Sequence, residues 1–334
     1  MNGREVWITG AGLVSSLGEG LDAHWQAATS GGAPKLDSET YAPITVHPMI
    51  PLELARQIPK KVDQNQMEPW QRIGTYAAGL ALEDAGLKGD AERLATTQII
   101  VSAGGGERNV EVDDAISTGL RKTNDKGRFL NERLMNDLKP TLFLAQLSNL
   151  LAGNIAIVHG VVGASRTFMG EEQAGVDAVR IAHARIAAGQ GDVFVVGGSY
   201  ASQRPDMHLM YEFQGHNRKG PWVPVLERNN QSAGFDLGAV GAFLVLEEAS
   251  VARSRGRKAH AKLAAVVADR SRRRPGEAAA SLRKLWDSIA PKLKAGRFAI
   301  LSCASGARDV TREEREALTA IASNAPIRAV GNLI

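Results

Sequence analysis

A chain of 334 residues, 44% hydrophobic and 23% charged, has the make-up of a globular protein with room for one large or two modest domains. No apolar run reaches the roughly 20 residues that cross a bilayer, and the segment around Arg4 lacks the pattern of a signal peptide, so a cytoplasmic location is expected. Forty basic against thirty-six acidic residues give +4, too mild to indicate nucleic acid, and the single cysteine, Cys303, excludes an intrachain disulfide framework and a multi-cysteine zinc site.

Glu5-Val6-Trp7-Ile8-Thr9-Gly10 reads as a first buried strand, with Gly10 and Gly12 marking a turn. The run from 10 to 15 half-matches a dinucleotide fingerprint. Ser15 stands in place of the third glycine, however, and no acidic residue follows in the right context, so no nucleotide cofactor is expected. The pattern over 67–85 predicts a helix stopped by Gly86. Thr97-Gln98-Ile99-Ile100-Val101-Ser102 predicts a second strand. The triple glycine 104–106 behind it lacks the Lys-Ser/Thr of a phosphate loop and reads as a close turn. A helix over 142–152 and a short strand Ile155-Ala156-Ile157-Val158 come next.

Met169-Gly170-Glu171-Glu172-Gln173-Ala174-Gly175-Val176-Asp177 then lies between a candidate strand and a helix, where a nucleophile is expected and only an amide is present. Helical spacing over 178–186 and a close at Ala188-Gly189 put Gln173 near the N-terminus of a buried helix. The dipole there would favour a thiolate, and a carboxamide has no comparable nucleophilicity. Asp192-Val193-Phe194-Val195-Val196-Gly197-Gly198 and Gly241-Ala242-Phe243-Leu244-Val245-Leu246 read as further buried strands.

After Glu247 the composition shifts. A basic helical stretch is expected over 252–262, then a helix over 278–293, a strand over 298–302, a helix over 312–322 and a strand over 327–330. Strands alternating with helices imply an α/β layered architecture with largely parallel buried sheets and a boundary near 248–259. The run Arg270-Ser271-Arg272-Arg273-Arg274-Pro275 reads as a solvated loop, or as a docking patch for an acidic partner.

The order and content of these segments resemble the β-ketoacyl-acyl carrier protein synthases, the condensing enzymes of fatty-acid and polyketide synthesis. The resemblance rests on Val6 to Gly18, on Asp192 to Gly198, and on the glycine-rich Gly234-Phe235-Asp236-Leu237-Gly238-Ala239-Val240-Gly241-Ala242 with Leu244-Val245-Leu246-Glu247. It implies a thiolase-like α/β fold, two similar halves in an αβαβα sandwich. The expected division is 1–250 for the N-terminal half and 251–334 for a partial C-terminal half.

In that family a cysteine thiolate takes the acyl chain, two histidines stabilise the enolate formed on decarboxylation, and a lysine orders the site. Carried over, the resemblance puts the cysteine position at Gln173, the first histidine position at Cys303 and the lysine position near Gly331. The second histidine would fall beyond Ile334. His159, His183, His208 and His216 lie outside the family's motif and read as surface or satisfied structural histidines. Cys303, ending a buried strand, reads as a small hydrophobe rather than a relocated nucleophile.

Glutamine at the cysteine position resembles the chain-length-factor branch, non-condensing partners of an active ketosynthase. The expected function is therefore a partner subunit in fatty-acid or polyketide-type synthesis, pairing with an active ketosynthase or with itself and working on acyl carrier protein. The alternatives are an active or decarboxylating β-ketoacyl synthase with an atypical site, or a truncated fragment. No cofactor or metal is implied. Lys60 and Lys61 keep the basic character of a carrier-docking rim, whereas Gln64, Asn65 and Gln66 do not. The family continues past the strand at 327–330, so the resemblance also implies a truncated product or a partial sequence, with an apolar sheet edge left open.

Overall fold

A computed structural model describes residues 3–334 apart from 32, 107, 141, 146, 171–172, 273, 294–297 and 323–324. The chain begins β1 (Val6–Ser15), β2 (Gly18–Glu19), α1 (Gly20–Ser30), β3 (Val46–His47), α2 (Lys61–Gln66), α3 (Pro69–Asp84) and α4 (Ala91–Thr96). It continues through β4 (Gln98–Ala103), α5 (Val110–Leu120), α6 (Lys126–Asn136), α7 (Leu142–Ala145), α8 (Leu150–His159), β5 (Ser165–Met169) and α9 (Ala174–Ala187). Then come β6 (Val193–Tyr200), α10 (Pro205–Phe213), β7 (Leu237–Gly238), β8 (Val240–Glu248) and α11 (Ala249–Ser254). The last stretch holds β9 (Ala261–Lys262), α12 (Glu277–Ile289), β10 (Ile300–Ser302), α13 (Arg308–Ile321) and β11 (Ile327–Ala329).

One seven-stranded sheet in the order β2-β1-β8-β6-β4-β5, with β9 added on β1, organises the first 262 residues. Its strands read as apolar runs because helices cover both faces. Ile99, Val101, Val195 and Val245 pack with Tyr76, Ala77, Ala78 and Ala81 of α3. The residues between them in the strands, Ile100, Phe194, Val196 and Leu246, pack with Ala178, Ala182 and Ile186 of α9. The sheet is mixed, against the expectation of largely parallel strands. β4 is parallel to β5 and β6, but β8 runs antiparallel to both β1 and β6. A continuous apolar run reports burial on two faces and carries no information about strand direction.

Gly10 and Gly12 have a packing role rather than a nucleotide-binding one. α3 lies so close on β1 that a Cβ at Gly12 would sit 2.0 Å from the Ala77 carbonyl oxygen, and one at Gly10 2.4 Å from that of Ala81. Both obstacles are helix backbone, which cannot rotate away. Gly12→Ala is expected to cost about 3 kcal/mol of stability, the upper part of the overpacking range. A melting temperature equal to the wild type would refute this close-packing account.

Two further expectations are corrected. Residues 155–158 are not a strand but the C-terminal half of α8, and the helix expected over 142–152 divides between α7 and α8. Leu151, Ala152 and Ile155 recur at helical spacing and bury against α3, and Gly160, with φ of 73°, closes the helix. The strand that precedes Gln173 is instead β5, whose Ser-Arg-Thr-Phe-Met sequence suits its place at the sheet edge. The basic stretch over 252–262 is not one helix either. α11 ends at Ser254, Gly256 turns the chain with φ of 70°, and β9 pairs with β1.

Residues after β9 build a smaller layer in which β10 and β11 pair in parallel and α12 packs on α13. The two parts are tied by Gly234 N donating to Gly306 O at 2.9 Å, by Arg315 Nη1 donating to Leu226 O at 3.0 Å, and by Arg328 Nη1 donating to Ala28 O at 2.6 Å. Among the described residues no helix is long and apolar enough to cross a membrane.

Candidate active-site region

Gln173 sits directly before α9. β5 ends at Met169, Gly170 turns the chain with φ of 139°, and the Asp177 N–H donates to Gln173 O at 2.9 Å in the first helical turn. Glu171 and Glu172, part of the stretch singled out in the sequence, lie outside the described residues. The Gln173 side chain is exposed and caps no backbone N–H. Ala174, Ala178, Ala182 and Ile186 form the buried stripe that presses α9 on the sheet. Small residues let it approach closely and aim its N-terminus at the space beside β6.

That space is a cavity of about 900 Å³. Apolar side chains of the sheet, including Leu13, Val196, Val240 and Leu244, line it together with Val179 of α9. Gly170 and Gly175, on either side of Gln173, also reach it. Arg204 anchors another wall. Its Nη1 donates to Gly105 O at 3.3 Å and its Nη2 to Gly106 O at 2.6 Å, while Asp206 accepts from the same guanidinium at 2.6 Å. The triple-glycine turn is thus held by a buried side chain.

A second cavity, of about 320 Å³, shares Tyr200, Tyr211 and Leu237 with the first. Cys303 and Gly331 both line it, although 28 residues separate them in the chain. Cys303 is solvent-accessible, yet the surrounding protein pushes its thiol up, with the Glu314 carboxylate adding to the effect. Glu314 itself is held by Ser302 Oγ at 2.6 Å. A thiol so placed is largely protonated near neutral pH.

The structure therefore brings Cys303 and Gly331 to one cavity wall, with the residues flanking Gln173 on the adjoining cavity. No histidine lines either cavity among the described residues. His159 bonds the Thr75 carbonyl at 2.8 Å, His216 stacks on Phe235 at 5.4 Å and His208 is buried against Tyr41. Burial lowers the pKa of His159, His183 and His208. Lys60 and Lys61 are exposed, but Gln64 is buried, donating to Ile58 O at 2.7 Å, and belongs to no docking rim. Arg270, Arg272 and Arg274 are exposed; Arg273 lies outside the described residues. No cluster of three or more metal-ligating side chains occurs among the described residues.

The sequence marks Asp236 only as part of the glycine-rich segment and gives Arg218 and Arg228 no role, yet the three form a buried ion cluster, of which Arg228 and Asp236 line the smaller cavity. The available signal was Arg218-Lys219-Gly220-Pro221, an arginine set in a turn between aromatic segments.

Known proteins are similar to this chain in sequence and in fold. The family described as the N-terminal domain of β-ketoacyl synthase matches residues 3–252. The chain is similar to the 3-oxoacyl-[acyl-carrier-protein] synthase 2 of Rhizobium meliloti, with 26% identity over 78% of this chain and 63% of the relative. It is also similar to the actinorhodin polyketide putative β-ketoacyl synthase 2 of Streptomyces coelicolor, at 27% identity over 75% of this chain and 60% of the relative. The chain thus spans less than two thirds of the length of these relatives. Among solved structures, the ishigamide ketosynthase/chain length factor matches 99% of this chain and 81% of its own with a TM-score of 0.76 at 21% identity. A β-ketoacyl synthase from Burkholderia phymatum matches 99% of this chain and 81% of its own with a TM-score of 0.73 at 18% identity. These neighbours give the chain a thiolase fold, and a match over residues 3–252 makes it a member of the β-ketoacyl synthase family.

Proposed function

We propose that this chain is a non-condensing, chain-length-factor-like subunit that pairs with a cysteine-bearing ketosynthase in fatty-acid or polyketide-type synthesis. In this reading residues 1–250 and 251–334 correspond to the two thiolase-like parts, and Gln173, Cys303 and Gly331 stand where the nucleophile, first histidine and lysine are expected. The observation that carries it is Gln173 before α9. Thioester formation needs a lone pair free to attack a carbonyl, and the amide nitrogen's is delocalised. Decarboxylation needs strong hydrogen-bond donors toward the developing enolate, and the Cys303 S–H is a weak one.

Support for a partner comes from the edge of the sheet. Among the described residues β5 pairs on one side only, with β4. Large apolar side chains are exposed at that end of the molecule, Met169 at 71% and Ile157 and Val162 in and after α8 at 71% and 74%. An unpaired edge with exposed apolar groups favours association. One neighbour is titled a ketosynthase/chain length factor, and another an acyl-carrier protein in complex with its ketosynthase. An acidic carrier would dock on the partner or on Arg270, Arg272 and Arg274. Such a subunit works in the cytoplasm.

Co-expression with a cysteine-bearing synthase tests the reading. The pair should co-purify as a one-to-one complex, and Met169→Glu should weaken it at least tenfold by placing a carboxylate in the apolar contact. A chain that stays monomeric, or pairs only with itself, would overturn the partner role.

A further inference from the structure

The basic segment that follows β9 holds a stretch of backbone without a partner. The Leu263 N–H donates to Val6 O at 3.0 Å, and the Leu263 side chain packs on the core cluster beside α9. From there the chain runs past the start of β1 to Asp269, which is pinned to α12 by Ser281 Oγ at 3.1 Å and Lys284 Nζ at 2.9 Å. Between these anchors lie Ala264-Ala265-Val266-Val267-Ala268, with no turn and, among the described residues, no backbone hydrogen bond. Ala264, Val267 and Ala268 are exposed. Five residues make a strand of ordinary length, and the β-branched valines favour one. Natural sheet edges carry a charge, a proline or a bulge that prevents pairing, and 264–268 has neither charge nor proline.

Immediately beyond lies a cavity of about 370 Å³ lined by Arg270, Arg272 and Lys284, together with the carboxylates of Asp269 and Glu277. Both acids are engaged, Asp269 with Lys284 and Glu277 Oε2 with the Arg272 N–H at 2.7 Å. Six basic residues against two acidic ones over 269–284 leave this end of the open segment positive. The charge selects the occupant. A second copy paired in parallel would lay the two arginine runs side by side, and antiparallel pairing about Val266 would set each Arg270 against Lys262 of the other copy; like charges directly opposite are destabilising. A lipid surface would have to take in free N–H and C=O groups, which hydrocarbon cannot satisfy. We infer that 264–268 is a strand-addition site for a segment of another protein, an extended apolar strand flanked by acidic residues. Backbone pairing supplies the affinity, and the arginines beyond Asp269 supply the selectivity. The site lies at the sheet edge opposite β5 and is independent of the non-condensing reading.

The test is fluorescence anisotropy of a labelled peptide, five alternating valines and threonines with two acidic residues at each end, titrated with the full chain. This peptide should bind about tenfold more tightly than the same peptide with lysines at its ends. Methylation of every backbone nitrogen in the valine-threonine stretch keeps the charge but removes the ladder donors, and should abolish binding. In the protein, Arg270→Glu combined with Arg274→Glu changes two exposed side chains. It should weaken the acidic peptide about tenfold and strengthen the lysine one. Equal affinity for the two peptides, binding that survives methylation, or no binding of the acidic peptide would overturn the inference. Two further outcomes would also overturn it by naming another occupant. Self-association of the chain that Val266→Pro disrupts would make the occupant a second copy. Binding to phosphatidylserine vesicles without binding to the peptide would make it a lipid surface.

Discussion

Incubated with an acyl-carrier thioester at neutral pH, the wild-type chain should gain no mass, and Gln173→Cys should become acylated without acquiring condensing activity. The difference follows from where each thiol sits. Cys303 lies after β10 with its thiol raised by the surrounding protein, although it reaches solvent, and by Glu314. Its alkylation by iodoacetamide should be slower than that of a free cysteine at pH 7 and should rise only as pH climbs past the ordinary thiol value of about 8.5. A cysteine at 173 would instead lie at the N-terminus of α9, exposed, with the N–H groups of the first turn beside it. Such positions lower thiol pKa values to between about 3.5 and 7.5. At pH 7 the thiolate fraction should rise at least tenfold over Cys303, and the alkylation rate with it. Carbon–carbon bond formation should stay absent, because among the described residues no histidine borders the cavity to polarise the malonyl carbonyl. Gln173→Cys combined with Cys303→Ser keeps one thiol and assigns the signal. Wild-type alkylation at the rate of free cysteine at pH 7 would contradict the account.

Much of the sheet was legible in the sequence because β1, β6 and β8 are buried on both faces and therefore read as unbroken apolar runs. The same rule misled at 155–158, where four apolar residues are the end of α8. A short apolar run has no length from which to tell a buried strand from a buried helix. β5 shows the converse: its polar sequence carries no strand period, yet its backbone extends the sheet as an edge. At the site, Gln173 stood out locally because helix signals surround it. Cys303 and Gly331 have no such local mark; the resemblance selected them, and the fold brings both to one cavity. The ion cluster was out of reach for a different reason. Arg218 and Asp236 are 18 residues apart across a loop rich in glycine and proline, and pairing across such a loop depends on tertiary packing with no period to read.

Asp236→Ala should be the most destabilising single substitution at the site, costing about 3–5 kcal/mol, the cost of breaking a buried pair by removing one partner. It would strand two guanidiniums that are almost fully buried. The consequence reaches beyond the pair. Residues 218–236 form a loop whose two ends the cluster clamps together, with Arg218 N donating to Phe235 O at 3.1 Å. From that clamp Leu237 and Gly238 enter β7, and Leu237 borders both cavities. Gly234 makes the 2.9 Å bond to Gly306 that joins the smaller layer to the sheet. Loss of Asp236 should thus lower the melting temperature by roughly 10 °C, given about 2–4 °C per kcal/mol in large domains. Arg228→Met in the Asp236→Ala background should recover part of the loss, since it removes one of the two stranded charges and preserves side-chain volume. Recovery is the informative result. A double variant as unstable as the sum of the singles would mean that Arg228 acts through its carbonyl bonds to Val223 and Gly234, and that its stranded charge has no energetic weight.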